Sequence, residues 1–464
     1  MTAPAQPITN TYLEGVKAPV TEEVTAFDLP VSGTVPPELN GRWLRNGPNP
    51  IGEVANPLRH HWFSGDGMVH GVRLRDGNAE WYRNRWVRSD NVADHLGEER
   101  PTGPANGDRT GFGPNTNVGG FAGRTWALVE GGTTPTELTY ELETIGRSDF
   151  DGTLASGFSA HPKYDPSTGE LHAMTYCWPD LMDHLQYVVV GPDGHVTKTI
   201  DISVADMPMV HDISITDHWV VVYDLPVTLR MDLLTEGYSI PVGWNPEHPA
   251  RIGLLPRSAT DASAIVWCEV APCFTFHPLN AYDDADGNVV IDFCRYERLF
   301  DLDLLGPFSL DPPPTLDRWT INPSTRHVHE QRIDDRAHEF PRHDPRVGLK
   351  PHRFGYTATV DYAAPELHGP ICKTDVTTGK VIEHAFGSGR GGAEPVFVPR
   401  EGSTAEDDGW IMCLVHDVTN NGAELHVIDA TDFAGPAVAA ITLPQRVPVG
   451  FHGNWVSDQS VAPD

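Results

Sequence analysis

Four histidines in the 464-residue chain share one local setting, and their side chains could bind a transition metal. They are His161, His211, His277 and His452. Each follows a short segment containing apolar residues and precedes proline, aspartate or glycine, which end strands or open turns. Four neutral imidazoles form a nitrogen site suited to Fe(II), Cu(II), Ni(II) or Zn(II), and the spacing alone does not select one of them.

The other histidines show why this setting matters. The chain has 22 histidines, and a single one at the end of a strand is usually structural or solvated. His60 and His61 are adjacent, so in a strand their rings point to opposite faces and cannot bind one ion together. The recurrence of the same setting four times favours a metal site. The alternative is a ligand-binding protein without turnover, in which the four histidines are structural.

The four histidines lie far apart in the sequence, so only a closed fold with many short strands could bring them together. The chain has 44 glycines and 41 prolines without a collagen-like period, which indicates frequent turns. Strand-like segments recur to the end of the chain, as in 170–176, 289–294 and 410–416. We therefore predict an all-β propeller of six to eight blades in one domain, residues 25–464, preceded by an N-terminal arm, residues 1–24.

Composition restricts the partners and the compartment. A formal net charge of −31 without a basic stripe argues against a nucleic-acid partner. No segment is long and apolar enough to form a membrane helix, and the start lacks the pattern of a signal peptide. We expect a cytoplasmic protein whose cysteines are free thiols, with peripheral membrane contact and oligomeric state left open. The cysteines are Cys177, Cys268, Cys273, Cys294, Cys372 and Cys413.

Several motifs resemble the carotenoid cleavage oxygenase family, which includes the vertebrate retinoid isomerase and stilbene-cleaving dioxygenases. They occur in the family's order, from about residue 25 to about residue 456. The motifs are Leu44-Arg-Asn-Gly-Pro-Asn-Pro50, His61-Trp-Phe-Ser-Gly-Asp-Gly-Met-Val-His70, Ser159-Ala-His-Pro-Lys-Tyr-Asp165, Val210-His-Asp212, Phe276-His-Pro278, Glu394-Pro-Val-Phe-Val-Pro399 and Phe451-His-Gly453.

The resemblance implies a seven-bladed β-propeller, with a few short helices and loops that cap the face of the active site. It implies one non-haem Fe(II) per chain on the propeller axis, bound by the four histidines. It also implies three glutamates that accept the outer N–H groups of ligand histidines, fixing their tautomer and direction. The pairs are Glu130 with His211, Glu339 with His277 and Glu394 with His452, which leaves His161 without a carboxylate. By the same resemblance, Thr116 lies beside an open position on the iron.

The implied reaction inserts O2 across a C=C bond of an apolar conjugated substrate and yields two carbonyl products. Stilbene-cleaving relatives have a lysine directly before the first glutamate, where this chain has Val129. This difference favours a carotenoid or apocarotenoid over stilbene or phenylpropenoid aryl alkenes, which remain the second candidate. A redox-neutral isomerase or hydrolase at the same site is a third.

Aromatic residues near the motifs are candidates for an apolar substrate tunnel, although aromatic side chains more often belong to a core. The candidates are Trp62, Phe63, Phe112, Trp178, Phe274 and Phe276. The segment 226–234 is a candidate for an apolar patch at the tunnel entrance, and a surface helix packed on the propeller would explain it equally well.

Overall fold

Short β-strands form most of the protein in the computed structural model, which describes residues 10–104, 113–176, 181–307, 312–360 and 368–463. In chain order the strands of these residues are β1 (Thr25–Phe27), β2 (Val31–Gly33), β3 (Gly41–Pro48), β4 (Gly67–Arg75), β5 (Asn78–Trp86), β6 (Asn117–Phe121), β7 (Arg124–Leu128), β8 (Thr136–Leu138), β9 (Thr144–Arg147), β10 (Lys163–Asp165), β11 (Glu170–Thr175), β12 (His184–Val190), β13 (Val196–Ser203), β14 (Ile213–Ile215), β15 (Trp219–Asp224), β16 (Val227–Leu229), β17 (Val242–Trp244), β18 (Arg251–Pro256), β19 (Val266–Glu269), β20 (Pro278–Asp283), β21 (Val289–Arg295), β22 (Thr315–Asn322), β23 (His327–Asp334), β24 (His338–Arg342), β25 (Phe354–Val360), β26 (His368–Asp375), β27 (Lys380–His384), β28 (Arg390–Gly392), β29 (Val396–Pro399), β30 (Gly409–Asp417), β31 (Gly422–Asp429), β32 (Ala439–Thr442) and β33 (Gly453–Ser457).

These strands form seven antiparallel blades, so the predicted seven-bladed β-propeller is confirmed. From the axis outwards, blade 1 is β33-β3-β4-β5-β1, blade 2 is β6 to β9 and blade 3 is β10 to β13. Blade 4 is β14-β15-β18-β19, blade 5 is β20 to β23 and blade 6 is β24 to β27. In blade 7, β28 and β29 both pair with β30, and β31, β32 and β2 follow.

The two ends of the chain close the ring of blades. In blade 1, the C-terminal strand β33 pairs with β3, for example Trp455 opposite Trp43. In blade 7, the N-terminal strand β2 pairs with β32, for example Val31 opposite Ile441. Both closures are antiparallel.

The blades are buried on both faces because each packs between two neighbours. Residues 409–416 of β30 are all buried, and the same holds for residues 67–74 of β4. Strands of this kind have continuous apolar runs, such as Val220-Val-Val222, and not a strict alternation. The packing of the blades fixes where each inner strand starts and how it is oriented. It therefore also fixes the position of the residue that precedes the strand.

Short helices contribute little to the propeller itself. The α-helices are α1 (Asp90–Leu96) and α2 (Met231–Thr235), and the 3-10 helices are Thr11–Leu13, Gly15–Lys17, Pro57–Arg59, Ala262–Ala264, Pro345–Val347 and Ala430–Asp432. In the described part of the chain, neither α-helix has the length and apolarity needed to span a bilayer. Helix α2 and the two-stranded sheet β16-β17 form an insertion between β15 and β18 of blade 4.

The described part of the N-terminal segment packs on the propeller. Tyr12 is buried, donates a hydrogen bond from its hydroxyl to Asp303 Oδ2 at 2.6 Å, and stacks on Trp62. Among the cysteines, Cys268, Cys273, Cys294, Cys372 and Cys413 are free and buried, and Cys177 lies outside the described residues.

Candidate metal centre

The four histidines that the sequence singled out meet at one point near the propeller axis. His161, His211, His277 and His452 each lie just before the inner strand of a different blade, β10, β14, β20 and β33 respectively. All four are buried, and one ring nitrogen from each lies within 4.8 Å of the others. The blades thus turn four distant sequence positions into one cluster.

The nitrogens of this cluster are arranged as a metal site requires. The Nε2 atoms of His211 and His277 lie 3.2 Å apart. Two nitrogens bound at about 2.1 Å to one ion, at right angles to each other, would lie about 3 Å apart. The Nε2 atom of His161 is buried and has no hydrogen-bond partner among the residues that the structure describes. An unsatisfied ring nitrogen inside a buried imidazole cluster fits a metal ion, so these residues could hold one.

Three carboxylates bind the opposite sides of the imidazole rings, in the predicted pairs. His211 Nδ1 donates to Glu130 Oε1 at 2.8 Å, and His277 Nδ1 donates to Glu339 Oε2 at 2.5 Å. His452 Nδ1 donates to Glu394 Oε1 at 3.0 Å. Because Nδ1 carries the proton in each pair, the Nε2 lone pair is free to face the centre of the cluster.

All seven blades contribute to this arrangement. Blades 1, 3, 4 and 5 supply the histidines, and the three glutamates come from the others. Glu130 follows β7 in blade 2, Glu339 lies on β24 in blade 6, and Glu394 precedes β29 in blade 7. The centre is therefore held by the closed ring as a whole.

Burial and the glutamates set the charge of the cluster. Burial lowers the pKa of His161 well below its ordinary value, and the neighbouring imidazoles lower it further. Burial also lowers the pKa of His277, against the charge of Glu339. For His211, burial lowers the pKa, but the charge and hydrogen bond of Glu130, together with the charges of Asp212 and Glu339, outweigh it and raise the pKa overall.

Glu339 and Glu394 remain ionised although they are buried. Burial raises the pKa of Glu394, but Arg342, His452 and the Gly453 N–H outweigh this and lower it to about 2. Glu394 Oε2 accepts the Gly453 N–H at 2.8 Å, and Arg342 Nη1 lies 3.3 Å from Oε1. Burial likewise raises the pKa of Glu339, and His277 lowers it below its ordinary value. Anionic partners make the imidazoles better electron donors.

A mostly apolar cavity of about 460 Å³ reaches the histidine cluster from one side. It touches His211, His277 and His452, and we call it the apolar cavity. Its other lining residues include Trp62, Phe63, Thr116, Val129, Tyr176, Met182, Met209, Leu229, Met231, Leu234, Ile240, Val242, Phe276, Tyr296, Phe340, Val360 and Phe451. Its volume falls in the range of about 300–1,000 Å³ that is usual for small-molecule sites.

Comparison with known proteins agrees with this site. The sequence profile of the retinal pigment epithelial membrane protein family matches residues 17–457. A carotenoid cleavage oxygenase from Mycobacterium tuberculosis is 44% identical, over 98% of this chain and 99% of the relative. The chain belongs to the carotenoid cleavage oxygenase family. The expected enzyme class, an oxygenase, is thereby confirmed.

Other relatives of this oxygenase extend the likeness. A carotenoid 9,10(9',10')-cleavage dioxygenase from Phaseolus vulgaris is 32% identical, over 97% of this chain and 90% of the relative. Cobalt-substituted Synechocystis apocarotenoid oxygenase superposes with a TM-score of 0.81 and 29% identity, over 95% of this chain and 97% of that one. Pseudomonas brassicacearum lignostilbene dioxygenase superposes with a TM-score of 0.84 and 27% identity, over 98% of this chain and 100% of that one.

The predicted tunnel residues of the oxygenase have different outcomes. Trp62, Phe63 and Phe276 line the apolar cavity. Phe274 does not line it; the prediction for this residue is wrong, because Phe274 is 1% exposed and packs in the core behind Phe276. Phe112 and Trp178 lie outside the described residues.

Thr116 lies beside the histidine cluster. It directly precedes β6, the inner strand of blade 2, and its side chain lines the apolar cavity of the oxygenase. Its carbonyl oxygen accepts the His452 N–H at 3.1 Å, and its hydroxyl donates to Asn115 Oδ1 at 3.0 Å. Since the hydroxyl is turned to Asn115, its methyl group is the part of the side chain that can face the cavity.

The sequence did not reveal a second cavity of the oxygenase, also of about 460 Å³, which we call the polar cavity. It touches His161, His277 and His452, and charged and amide side chains line it together with apolar ones. Its lining residues include Asn117, Gly119, Phe121, Phe158, Lys163, Tyr164, Asp212, Leu279, Asn280, Arg342, Pro345, Glu394, Val396 and Asn454. Lys163 and Asp212 stand two residues and one residue after His161 and His211, and charged residues at the start of inner strands were the signal that could have revealed this cavity.

Proposed function

We propose that the protein is a non-haem Fe(II)-dependent dioxygenase that cleaves one C=C bond of a carotenoid or apocarotenoid. One O2 and one alkene give two carbonyl products, so both oxygen atoms are retained in the products. The observation that carries this proposal is the cluster of four histidines, three of them held by glutamates, at the inner end of the apolar cavity.

The chain's own residues bind the metal ion, orient the substrate and exclude water. His161, His211, His277 and His452 would hold the ferrous ion, which when bound supplies activation of O2. The apolar cavity would hold the alkene beside the cluster and keep out bulk water, which strengthens the electrostatic interactions in the site. We propose that the methyl group of Thr116 restricts the space next to the ion on the side of the apolar cavity.

The lining of the apolar cavity supports a hydrocarbon substrate. Val129 occupies the position next to Glu130 and offers no hydrogen-bonding group to a phenol. Phe63 makes edge-to-face contacts with Phe276 and with Phe451. These three rings give the cavity an apolar wall. Conjugated polyenes can pack on such surfaces without leaving polar groups unsatisfied.

Cleavage of a stilbene or phenylpropenoid alkene is the second candidate. The observation in its favour is the superposition on Pseudomonas brassicacearum lignostilbene dioxygenase, with a TM-score of 0.84. The hydroxyl groups of Tyr176 and Tyr296 lie in the apolar cavity, where a phenolic substrate would meet them, but both already have partners in the site. Tyr296 already donates to Glu339 Oε1 at 2.7 Å, and Val129 replaces the lysine of stilbene-cleaving relatives, so we place this function second.

The mouth of the apolar cavity supports a substrate taken from a membrane. Met182, Met231 and Leu234 line it and are 38%, 54% and 50% exposed. The segment that the sequence indicated as an entrance, 226–234, contributes Leu229, Met231 and Leu234 to this lining. We propose peripheral contact with lipid here. Sedimentation with neutral vesicles should pull down the protein, and Leu234→Glu with Met231→Glu should release it.

Product analysis tests the proposed reaction. The protein, loaded anaerobically with Fe(II), is exposed to ¹⁸O2 with a panel of carotenoids, apocarotenoids and hydroxystilbenes, and the products are examined by mass spectrometry. Two carbonyl fragments from a polyene, each carrying the label before exchange, are expected. A product isomer without O2 consumption would support a redox-neutral isomerase, and turnover of hydroxystilbenes alone would support the second candidate.

A further inference from the structure

The polar cavity and the apolar cavity meet the histidine cluster on different sides. The residues just before the histidines, such as Met209, Phe276 and Phe451, line the apolar cavity. The residues just after them, such as Lys163 and Asp212, line the polar cavity. Each inner strand runs away from its histidine, so the polar cavity follows the inner strands along the propeller axis.

The polar cavity connects the histidine cluster with the protein surface. At its inner end it touches His161, His277 and His452. At its outer end it is lined by Tyr164, which is 54% exposed, and by the exposed Pro345. Of the three histidines that touch the polar cavity, His161 is the one that does not line the apolar cavity. It is also the histidine for which no glutamate partner was predicted.

Charged groups in the polar cavity are paired. A dication passing through it therefore meets neither an excess of positive charge, which would repel it, nor an excess of negative charge, which would bind it tightly. Lys163 Nζ donates to Asp212 Oδ2 at 2.7 Å. Arg342 lies against Glu394 at 3.3 Å and donates from Nη2 to Asn454 Oδ1 at 2.7 Å. Amide and carboxylate oxygens of this kind can replace water molecules around a hard cation as it moves.

We propose that the polar cavity is the route by which the ferrous ion reaches the histidines, and that the Lys163–Asp212 pair keeps this route open to a dication. The proposal rests on the proposed function, because it takes the cluster to be the iron site. The substrate and O2 are apolar and partition into the apolar cavity. The walls of the apolar cavity offer fewer polar groups than those of the polar cavity, so a hydrated dication would lose its water there at a larger cost in free energy.

Two substitutions alter the polar cavity without touching a histidine. A Cβ atom at Gly119 would have Asn454 Nδ2 at 3.6 Å as its nearest neighbour, an ordinary contact, so Gly119→Leu can place its side chain in the lumen. Asp212→Asn keeps an oxygen for the Ile213 N–H, which Asp212 Oδ1 accepts at 2.6 Å, but leaves Lys163 with its charge unpaired on the route. Leu234→Trp is the matched control, because it adds bulk at the exposed mouth of the apolar cavity.

The experiment follows metal uptake by the full-length apoprotein. Cobalt(II) chloride is mixed with apoprotein, and the rate of uptake is read from the visible absorption of the bound ion, with Fe(II) uptake checked by a chelator quench. We expect one ion per chain at the end point in all variants, and uptake at least tenfold slower in Gly119→Leu and in Asp212→Asn. Leu234→Trp should take up metal at the parent rate, and circular dichroism checks the fold of each variant.

Three other outcomes would contradict the proposed route. Slower uptake only in Leu234→Trp would place the route in the apolar cavity. Equal rates in all proteins, or an equal slowing in all three variants, would mean that the ion enters by opening of the fold. If the parent apoprotein binds no metal at any time, it is the proposed function that fails, and this result is distinct from a change in rate.

Discussion

Replacement of Glu339 by glutamine should weaken metal binding while leaving the fold intact. Glu339 Oε2 accepts hydrogen bonds from His277 Nδ1 and from the Phe340 N–H, and Oε1 accepts one from the Tyr296 hydroxyl. A glutamine with its oxygen in the Oε2 position keeps the first two bonds. Its amide group can then donate to the Tyr296 oxygen. The substitution therefore removes a buried charge and preserves the shape of the site.

The expected size of the effect follows from the role of the carboxylate. A partner of this kind usually contributes 10–100-fold to metal affinity, which corresponds to about 1.4–2.7 kcal/mol. Competition with a chelator of known affinity measures the dissociation constant for Fe(II) or Co(II), and thermal unfolding of the apoprotein measures the fold. We expect an affinity loss within that range and an apoprotein melting temperature close to that of the parent.

Two other glutamate-to-glutamine variants complete this experiment. Glu424→Gln is the matched control, because Glu424 binds His426 Nε2 at 2.8 Å outside the site, and it should leave metal affinity unchanged. Glu394→Gln should weaken metal binding and also lower the free energy of unfolding by about 1–3 kcal/mol, because its amide group must face either His452 Nδ1 or the Gly453 N–H. If Glu339→Gln binds metal as tightly as the parent does, the carboxylate does not tune His277 and the reasoning is refuted.

Three further predictions concern specificity, the open space and acid stability. Val129→Lys should increase turnover of 4-hydroxystilbenes and decrease turnover of polyenes, because an ammonium group in the apolar cavity can bind a phenol oxygen. Turnover is measured as aldehyde formed, and no gain with 4-hydroxystilbenes would show that other residues determine specificity. Thr116→Ala should leave iron content at the parent level while changing the rate of cleavage, and loss of iron would contradict the position assigned to Thr116. Burial raises the pKa of Asp165, but Ser167 and Arg257 outweigh it and lower the pKa to about 2, so its stabilisation is present above about pH 4 and is lost as the pH falls towards 2. Asp165→Asn should therefore lower the free energy of unfolding at pH 7 by about 1–3 kcal/mol and flatten its pH dependence between pH 5 and 2 in denaturant titrations, and an unchanged profile would contradict this assignment.

The cluster of four histidines was predictable because its signal is local. Each of the four histidines stands just before an inner strand, and the residue that follows, such as Pro162 or Gly453, marks the position in the sequence. The closed propeller then requires equivalent positions of several blades to meet at the axis. The resemblance to a family supplied the glutamates, which composition and spacing alone could not separate from surface carboxylates.

Features that depend on tertiary packing were harder to predict. Phe274 and Phe276 look equivalent at a spacing of two, but this segment is irregular, with an isolated bridge from Phe274 to Tyr296, so the alternation of a strand does not apply. Helix α1 was missed although Ser89 caps its start and Gly97, with φ of 72°, ends it. The two cavities follow from the gaps between packed blades, which no local pattern encodes.

The stoichiometry of iron tests the central claim most directly. After anaerobic reconstitution with Fe(II) and removal of excess metal, elemental analysis of the parent should give about one iron per chain. His277→Ala should give almost none, because it removes a nitrogen that lies 3.2 Å from His211 Nε2 in the cluster. A His277→Ala protein that is folded and retains the parent's iron content would contradict the account, since the ion would then be bound somewhere other than the four histidines.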